Sequence, residues 1–361
     1  MPGDGTKTGI TTNEAVLPPQ PMWRNAVDAY RMRWKRRRLL WRAFRARHQL
    51  RLIKDRINAV PSDRVMVFCV LRNEHERLPH FLDHYRSLGV GGFVFVDNGS
   101  YDGSAELLAS QPDCSVWVST ASYKSARFGV DWINYLLNKY GSGRCCLTVD
   151  ADELIAFSGM DRVDLSDLSR WMRRTHTRAL GALMIELFPK GPVSMAAFKA
   201  GDDPLQGLTH FDAGPYRAQR QRPMRNLWVQ GAARERVFFA DAPRRSPTLN
   251  KIPLVRWRRG YVYVNSTHSM LPPNLNSAYI DASGRVQPSV ALLHTKFLPS
   301  IVARAAEEKA RGEHFSNSSA FDAYYDALQD DPVLWHDDAV AYVDPEQLEA
   351  LGLIASGGWE V

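Results

Sequence analysis

Two aspartates, Asp150 and Asp152, stand directly after an apolar run in the stretch "CCLTVDADEL". Alternate residues of a strand share a face, so a D-x-D at the end of a strand can direct both carboxylates the same way. Carboxylate oxygens suit Mg²⁺ or Mn²⁺, which proteins usually bind through one or two carboxylates together with substrate phosphates. An isolated D-x-D is more commonly a solvated turn, so its interpretation depends on the neighbouring elements.

Two other apolar runs end in polar clusters of the same kind. The run "VMVFCVL" is followed by Arg72 and Glu74, and the run "FVFV" is followed by Asp97, Asn98 and Asp102. The carboxyl ends of parallel strands lie on one edge of a sheet, and ligands of open α/β sheets bind there. Three clusters that meet at one edge favour a binding crevice over three separate turns.

The sequence around these clusters alternates between strand and helix patterns. Short apolar, β-branched runs predict strands at 65–71, 93–96, 115–118 and 145–149. Apolar residues at helical spacing predict helices at 78–88, 104–110 and 128–140, and later at 301–311 and 321–328. Such alternation predicts βαβ units, and therefore an α/β fold with a mainly parallel sheet and flanking helices.

The clusters belong to an ordered series of stretches: "VLRNEHERLPHFLDHYRSLGV", "FVFVDNGSYDGS", "SYKSARFGVDWINYLL" and "LTVDADEL". In this series the sequence resembles bacterial glycosyltransferase family 2, whose members have the GT-A nucleotide-diphospho-sugar transferase fold. The likeness is strongest between residues 67 and 154. Weaker matches continue through "GAARERVF", "NKIPLVRW", "STHSMLP" and "LLHTKFL".

The resemblance implies an inverting transfer of a sugar from a nucleotide-diphosphate donor to a hydroxyl. The acceptor would be a glycan or a lipid-linked molecule, as in the synthesis of surface polysaccharides or glycoconjugates. The required cofactor would be Mn²⁺ or Mg²⁺. Asp152 would be a metal ligand, Asp150 would face the ribose or the metal, and His294 would be a third ligand.

The resemblance also implies which residues bind the donor nucleotide. Asp97 matches the acid that reads the base and the ribose, with Asn98 and Asp102 beside it. Many family members have a second aspartate where this chain has Asn98 in "VDNGS". Arg72 and Glu74 would also line the nucleotide pocket.

Several other polar side chains are candidates for the same crevice: Lys124, Arg127, Arg234, Arg236 and His268. Arginine can bind the oxygens of a diphosphate bidentately, and lysine can bind them as a point charge. His268 is a candidate contact to the acceptor or to a phosphate. Surface salt bridges and a satisfied structural histidine are the alternatives for this set.

Glu186 lies in the apolar run 179–187, where a carboxylate should not be buried unpaired. It therefore either faces the crevice or meets a cation such as Arg234 or Arg236. The family places an acid at this point, before a "P-x-G" turn that this chain has in "LFPKGP". We interpret Glu186 as the base that accepts the proton of the acceptor hydroxyl. Glu153 and Asp212 are the next candidates for that role.

Two other functions remain as alternatives. A nucleotidyltransferase can also place carboxylates at the edge of a sheet, although "LRNEHER" lacks the glycine-rich loop expected after its first strand. A non-catalytic adaptor with a vestigial sugar site is the second alternative. A P-loop NTPase is disfavoured because the chain has no G-x-x-x-x-G-K-[ST] motif.

A basic segment, residues 23–56, precedes the body of the protein. It carries 13 Lys and Arg and two Asp, which gives the segment a net charge of +11. The whole chain has a net charge of +7, so the remainder is net acidic. Read as a helix, it has an apolar stripe made of Tyr30, Trp34, Trp41, Phe44 and Leu52. The stripe could pack on the catalytic domain or lie on an anionic membrane surface. Nucleic-acid binding is a third alternative, which we do not expect because no recognised binding motif accompanies the patch.

Composition indicates an ordinary globular protein of 361 residues. No apolar run reaches the about 18 residues that a transmembrane helix needs. The four cysteines have neither disulfide nor metal spacing, so we expect them to be reduced. Three of them, Cys69, Cys145 and Cys146, lie in apolar strand-like runs and are expected to be buried. We expect a basic extension at 1–60, a catalytic domain at 61–300 and a helical segment at 301–361. The predicted location is cytoplasmic, with peripheral attachment to the inner membrane face as an option.

Overall fold

The structure, a computed structural model, describes residues 10–311 and 322–359. Its helices are α1 (Met22–Ala46), α2 (Leu78–Ser87), α3 (Ser104–Ser110), α4 (Val130–Leu136), α5 (Leu165–Arg174), α6 (Ala232–Phe238), α7 (Ser300–Arg311), α8 (Asp322–Gln329) and α9 (Pro345–Ala350). Its strands are β1 (Ile10–Thr11), β2 (Arg51–Lys54), β3 (Met66–Leu71), β4 (Gly92–Asp97), β5 (Cys114–Val118), β6 (Cys145–Thr148), β7 (Glu153–Ala156), β8 (Ala179–Glu186), β9 (His210–Phe211), β10 (Tyr216–Gln221), β11 (Asn226–Gly231), β12 (Asn250–Arg256), β13 (Val262–Tyr263), β14 (Met270–Leu271), β15 (Ser289–His294) and β16 (Val340–Ala341).

The main sheet has nine strands in the order β2-β5-β4-β3-β6-β12-β8-β15-β7. The α/β class is confirmed, but the sheet is mixed and not mainly parallel. Strands β5, β4, β3 and β6 are parallel to one another, and β15 is parallel to β8. The other four neighbouring pairs are antiparallel. The prediction was wrong here because strict strand–helix alternation ends after β6, where β7 follows with no crossover helix.

Both faces of the central strands are buried, which explains their unbroken apolar runs. On one face Val67 and Phe95 pack with Phe81 of α2, whose ring lies 6.1 Å from that of Phe95. On the other face Phe68 packs with Trp132 of α4. All four cysteines are free and buried, which confirms the burial predicted for three of them and adds Cys114.

Residues beyond 300 join the same body. Trp359 packs edge-on against Phe157 and Trp171, and β16 pairs with β9. The predicted helices 301–311 and 321–328 correspond to α7 and α8, with residue 321 outside the described part. The proposed domain boundary after residue 300 therefore falls within α7, which packs against α8.

The basic segment is a helix only as far as Ala46, because Arg51–Lys54 forms the edge strand β2 beside β5. Helix α1 is fixed to the body through Met32, Leu39, Ala43 and Ala46. All five residues of the predicted stripe are exposed: Tyr30, Trp34, Trp41, Phe44 and Leu52. The interpretation that this stripe packs on the domain is wrong, since the helix docks through its opposite face.

Among the described residues, no helix is both long enough and apolar enough to cross a membrane.

Substitutions on the two faces of α1 should have unequal effects on stability. Leu39→Ala empties a buried position beside Val262 and Val264, so we expect the free energy of unfolding to fall by about 2 kcal/mol or more. Trp41→Ala on the exposed face should change it by no more than about 0.5 kcal/mol. Urea unfolding measures both variants. A larger loss for Trp41→Ala would mean that the docking face is assigned incorrectly.

Candidate active site

A cavity of about 730 Å³ lies at the carboxyl ends of β3, β4 and β6. The three polar clusters that follow these strands all contribute to its lining: Arg72, Glu74, Asn98, Asp150 and Asp152. The convergence predicted from the sequence is therefore confirmed. A cavity of this volume falls in the range of small-molecule and cofactor sites, about 300–1,000 Å³.

Asp152 and His294, which both line the cavity, are in direct contact through their side chains. The Nε2 atom of His294 lies 3.2 Å from Oδ2 of Asp152, and Asp152 remains 23% exposed. Burial alone would raise the pKa of Asp152, but the His294 imidazole holds that pKa well below its usual range. Glu153 of β7 lies beside His294 of β15 because the two strands are antiparallel neighbours and place these residues opposite each other.

The donor atoms of Asp152, Glu153 and His294 lie within 4.8 Å of one another and could together hold a metal ion. Carboxylates suit Mn²⁺ and Mg²⁺, and the imidazole nitrogen favours Mn²⁺ of the two. Nδ1 of His294 is buried without a hydrogen-bond partner in the described part of the chain. The residues present thus fit a divalent cation, with Asp152 as the member of the set that is open to the cavity.

Asp150 is held differently from Asp152. Its Oδ2 lies 2.6 Å from Nζ of the buried Lys251, which also pairs with Glu153. Glu153 accepts a further hydrogen bond from the backbone N–H of Asp150. Burial would lower the pKa of Lys251, but the two carboxylates raise it instead, so its ammonium stays charged. The predicted metal set of Asp150, Asp152 and His294 is therefore brought together only in part.

Of the three candidates at the end of β4, only Asn98 lines the cavity. Asp97 is the last residue of β4 and is buried; its Oδ2 has no hydrogen-bond partner in the described residues, but the residue does not line the cavity. The side chain of Asn98 donates to the carbonyl oxygens of Ser119 and Ala121. Asp102 accepts hydrogen bonds from Ser104 and from the backbone N–H of His75, so it orders the loop.

Some of the residues predicted to contact phosphate line the cavity and others do not. Arg72 and Arg127 line the cavity, whereas Lys124 is exposed and does not. Arg72 donates to the carbonyl oxygen of Asn98 over 3.1 Å. Arg127 pairs with Asp131 at 3.0 Å and donates to the carbonyl oxygen of Val264.

Glu186 does not face the cavity as a base would. Its carboxylate is buried and accepts hydrogen bonds from both the backbone N–H and the Nε of Arg234. The ion pair that the sequence left as the alternative is the arrangement found, and it corrects our interpretation of Glu186. Arg234 does line the cavity, and its Nη2 is buried without a hydrogen-bond partner among the described residues. Glu186 therefore orients an arginine that can meet a ligand.

Of the remaining candidates, His268 lines the cavity, whereas Asp212 and Arg236 do not. Asp212, the second reserve base, is held by Arg236 and by His336 at 2.9 Å and does not line the cavity. His268 does line it, and its Nδ1 lies 2.6 Å from the carbonyl oxygen of Asn250. Burial lowers the pKa of His268 to about 4, so the ring is neutral at pH 7.

Five cations that line the cavity were not predicted from the sequence: Arg77, Arg245, Lys251, Lys296 and Arg304. Like Glu186, Lys251 is a charged residue within an apolar strand, and a buried charge needs a partner of opposite charge. The same rule could therefore have identified it from the sequence. Arg77, the buried residue just before α2, donates a hydrogen bond to the carbonyl oxygen of Thr295 over 2.6 Å. Across the whole lining, eight cationic side chains stand against five carboxylates, which favours an anionic ligand.

Glu186→Gln should act mainly on stability. The substitution leaves the buried guanidinium of Arg234 without its counter-ion, so we expect the free energy of unfolding to fall by about 3–5 kcal/mol. Asp326→Asn breaks an exposed pair with Lys309 and should cost less than about 1 kcal/mol. Denaturant unfolding compares the two variants. Wild-type stability together with abolished turnover in Glu186→Gln would restore Glu186 as a base.

Comparison of the chain with models of known protein families gives no match. A search among curated proteins likewise gives no significant similarity. What this site does is therefore argued from its side chains and their geometry.

Proposed function

We propose that this protein transfers a sugar from a nucleoside-diphosphate donor to a hydroxyl acceptor with inversion. The observation that carries the proposal is the pair Asp152 and His294, open to a cavity at the carboxyl ends of parallel strands. The cavity has an excess of cations over carboxylates, as binding of a diphosphate requires. Its volume suits a nucleotide-sized ligand.

An unpartnered polar group of the cavity lining supports the donor site. The buried Nη2 of Arg234 can donate a hydrogen bond to a diphosphate oxygen. A buried polar group without a partner is destabilising, so a ligand that satisfies it gains affinity. Asp97, the acid expected to read the base and the ribose, does not line the cavity and adds no support here.

Asp152 and His294 would hold Mn²⁺ or Mg²⁺, with Glu153 behind them. A divalent ion at this place supplies charge stabilisation to the departing nucleoside diphosphate. Lys251 keeps Asp150 and Glu153 fixed and offsets their negative charge. The donor phosphates then meet a cavity that attracts them, while Asp152 stays ionised because its pKa is low.

The acceptor hydroxyl must lose its proton as the new glycosidic bond forms. Glu186 is fully buried against Arg234 and does not line the cavity, so we assign proton acceptance to Glu74, which lines the cavity and is 22% exposed. Glu74 also pairs with arginines, at 3.0 Å from Arg77 and 3.7 Å from Arg304, but its exposed part leaves room for an acceptor hydroxyl. Burial raises the pKa of Glu74 to about 7, against the opposing effect of Arg77 and Arg304. A carboxylate with a pKa near the working pH is the efficient general base.

Asp152→Asn should reduce sugar transfer at least about 10²-fold because it removes a charged metal ligand. A thermal-shift screen of UDP, GDP, CMP and dTDP sugars with Mn²⁺ first identifies the donor. The variant should also lose the rise in melting temperature that Mn²⁺ gives the wild type. Asp337→Asn is the matched control, because it makes the same change at an exposed aspartate that does not line the cavity. This variant should behave as wild type. Full wild-type activity in EDTA would refute metal-dependent transfer.

Glu74→Gln should lower turnover at saturating donor by about 10²- to 10⁴-fold. The base acts when ionised, and its pKa is raised to about 7, so wild-type turnover should rise with pH and level off above that value. The variant should lose this rising limb. Glu307→Gln changes an exposed carboxylate at the same cavity and serves as the control. A rising limb that persists in Glu74→Gln would assign the base elsewhere.

A further inference from the structure

Exposed apolar side chains are concentrated in one short part of the molecule. Residues 16–53 expose ten large apolar side chains, against five in the rest of the described chain. Five aromatic residues of α1 form the centre of this patch, which we call the aromatic face: Trp23, Tyr30, Trp34, Trp41 and Phe44. Apolar surface gathered in this way marks an interaction site in a folded protein.

The aromatic face lies on the side of α1 opposite to the residues that fix the helix to the body. At about 100° per residue, its members lie about 180° around α1 from the buried residues Met32, Leu39 and Ala43. Arg42 also ties the helix to the body through Asp131 of α4, at 3.0 Å. Helix α1 is therefore held firmly by one side while the other side presents its aromatic residues outward.

Arginines border the aromatic face and give it a definite charge. Arg37 lies over the ring of Trp34 and Arg24 over that of Trp23, with the cation 5.3 and 5.1 Å from the ring centres. Helix α1 contains nine Lys and Arg, and its one carboxylate, Asp28, is bound by Gln20. The partner of this face must be anionic.

We propose that the aromatic face of α1 docks on an anionic membrane surface. Trp and Tyr rings combine an apolar body with a polar edge and bind where hydrocarbon meets headgroups. Basic residues on the same helix add attraction to acidic lipids. A nucleic acid would use the arginines but would leave most of this apolar area in water.

A cleft beside α1 shares lining residues with the larger cavity. Lys35, Arg38 and Arg42 of α1 line this cleft, which has a volume of about 440 Å³. Arg127 and Val264 line both the cleft and the larger cavity. If the proposed function holds, this shared lining is the route by which an acceptor held at the membrane would reach the cavity; the membrane binding itself does not depend on sugar transfer.

Co-sedimentation of the full chain with vesicles tests the proposal. We expect binding to phosphatidylcholine vesicles that contain about 30% phosphatidylglycerol, weak binding to pure phosphatidylcholine, and weakening by salt. Arg33→Gln with Arg37→Gln should lower the partition coefficient about 10- to 30-fold. Trp34→Ala with Trp41→Ala should lower it at least about tenfold, because the rings bury apolar area in the interface.

Two double variants elsewhere provide matched controls. Arg258→Gln with Arg259→Gln removes two exposed charges outside α1, and Met195→Ser with Val343→Ser removes two exposed apolar groups. Each should change vesicle binding less than about threefold. Equal losses in the controls, or vesicle binding that is indifferent to the tryptophans, would overturn the proposal. So would tighter binding of RNA or duplex DNA than of anionic vesicles at the same salt.

The outcome separates this proposal from the proposed enzyme function. Donor hydrolysis in solution should be unchanged by substitutions on the aromatic face. Loss of vesicle binding with normal hydrolysis is the expected result for the tryptophan pair. A chain that binds anionic vesicles but processes no nucleotide sugar would keep the membrane surface and refute the transferase.

Discussion

Four of the five buried carboxylates in the described part of this protein meet a cation, and Asp97 is the exception. Burying an ionised group without a partner costs several kcal/mol, so each acid carried inward on a strand brings a constraint with it. Lys251 satisfies Glu153 and Asp150, His294 meets Asp152, and Arg234 meets Glu186. The positions of β7, β8, β12 and β15 at one end of the sheet follow from these pairings together with the apolar strands.

These ion pairs also determine which carboxylates remain accessible to a ligand. A carboxylate enclosed by an arginine, as Glu186 is, has no room for a substrate and serves to orient that arginine. Asp152 keeps part of its surface in the cavity, and its histidine partner is itself a good metal ligand. The acid that we propose to be functional and the acid that is structural thus share one chemistry and differ in exposure.

The central strands and the edge where they end could be predicted, because β-branched runs and helical spacing are local signals. The directions of β12 and β7 could not, since the partner of a strand is a long-range property. The role of Glu186 was open in the sequence because an apolar run shows that a charge needs a partner but not which partner. Lys251 was missed although the same rule applied to it.

The basic helix shows a different limit of sequence patterns. Its aromatic residues at helical spacing indicated an apolar side correctly but could not say whether protein or solvent lay against it. The smaller residues Met32, Leu39 and Ala43 proved to be the docking side, because they allow close approach to the body. The more conspicuous stripe was left outside, where the Arg-rich surroundings restrict its partner.

The most direct test of the proposed transferase site is calorimetric titration of the protein with nucleoside diphosphates in the presence and absence of Mn²⁺. A site built from Asp152, His294 and an excess of cations should bind at least one nucleoside diphosphate, and Mn²⁺ should strengthen that binding about tenfold or more, about 1.4 kcal/mol. The corresponding nucleoside, which lacks phosphates, should bind weakly with or without the metal. Diphosphate binding that ignores Mn²⁺, or no binding of any nucleoside diphosphate, would contradict the account.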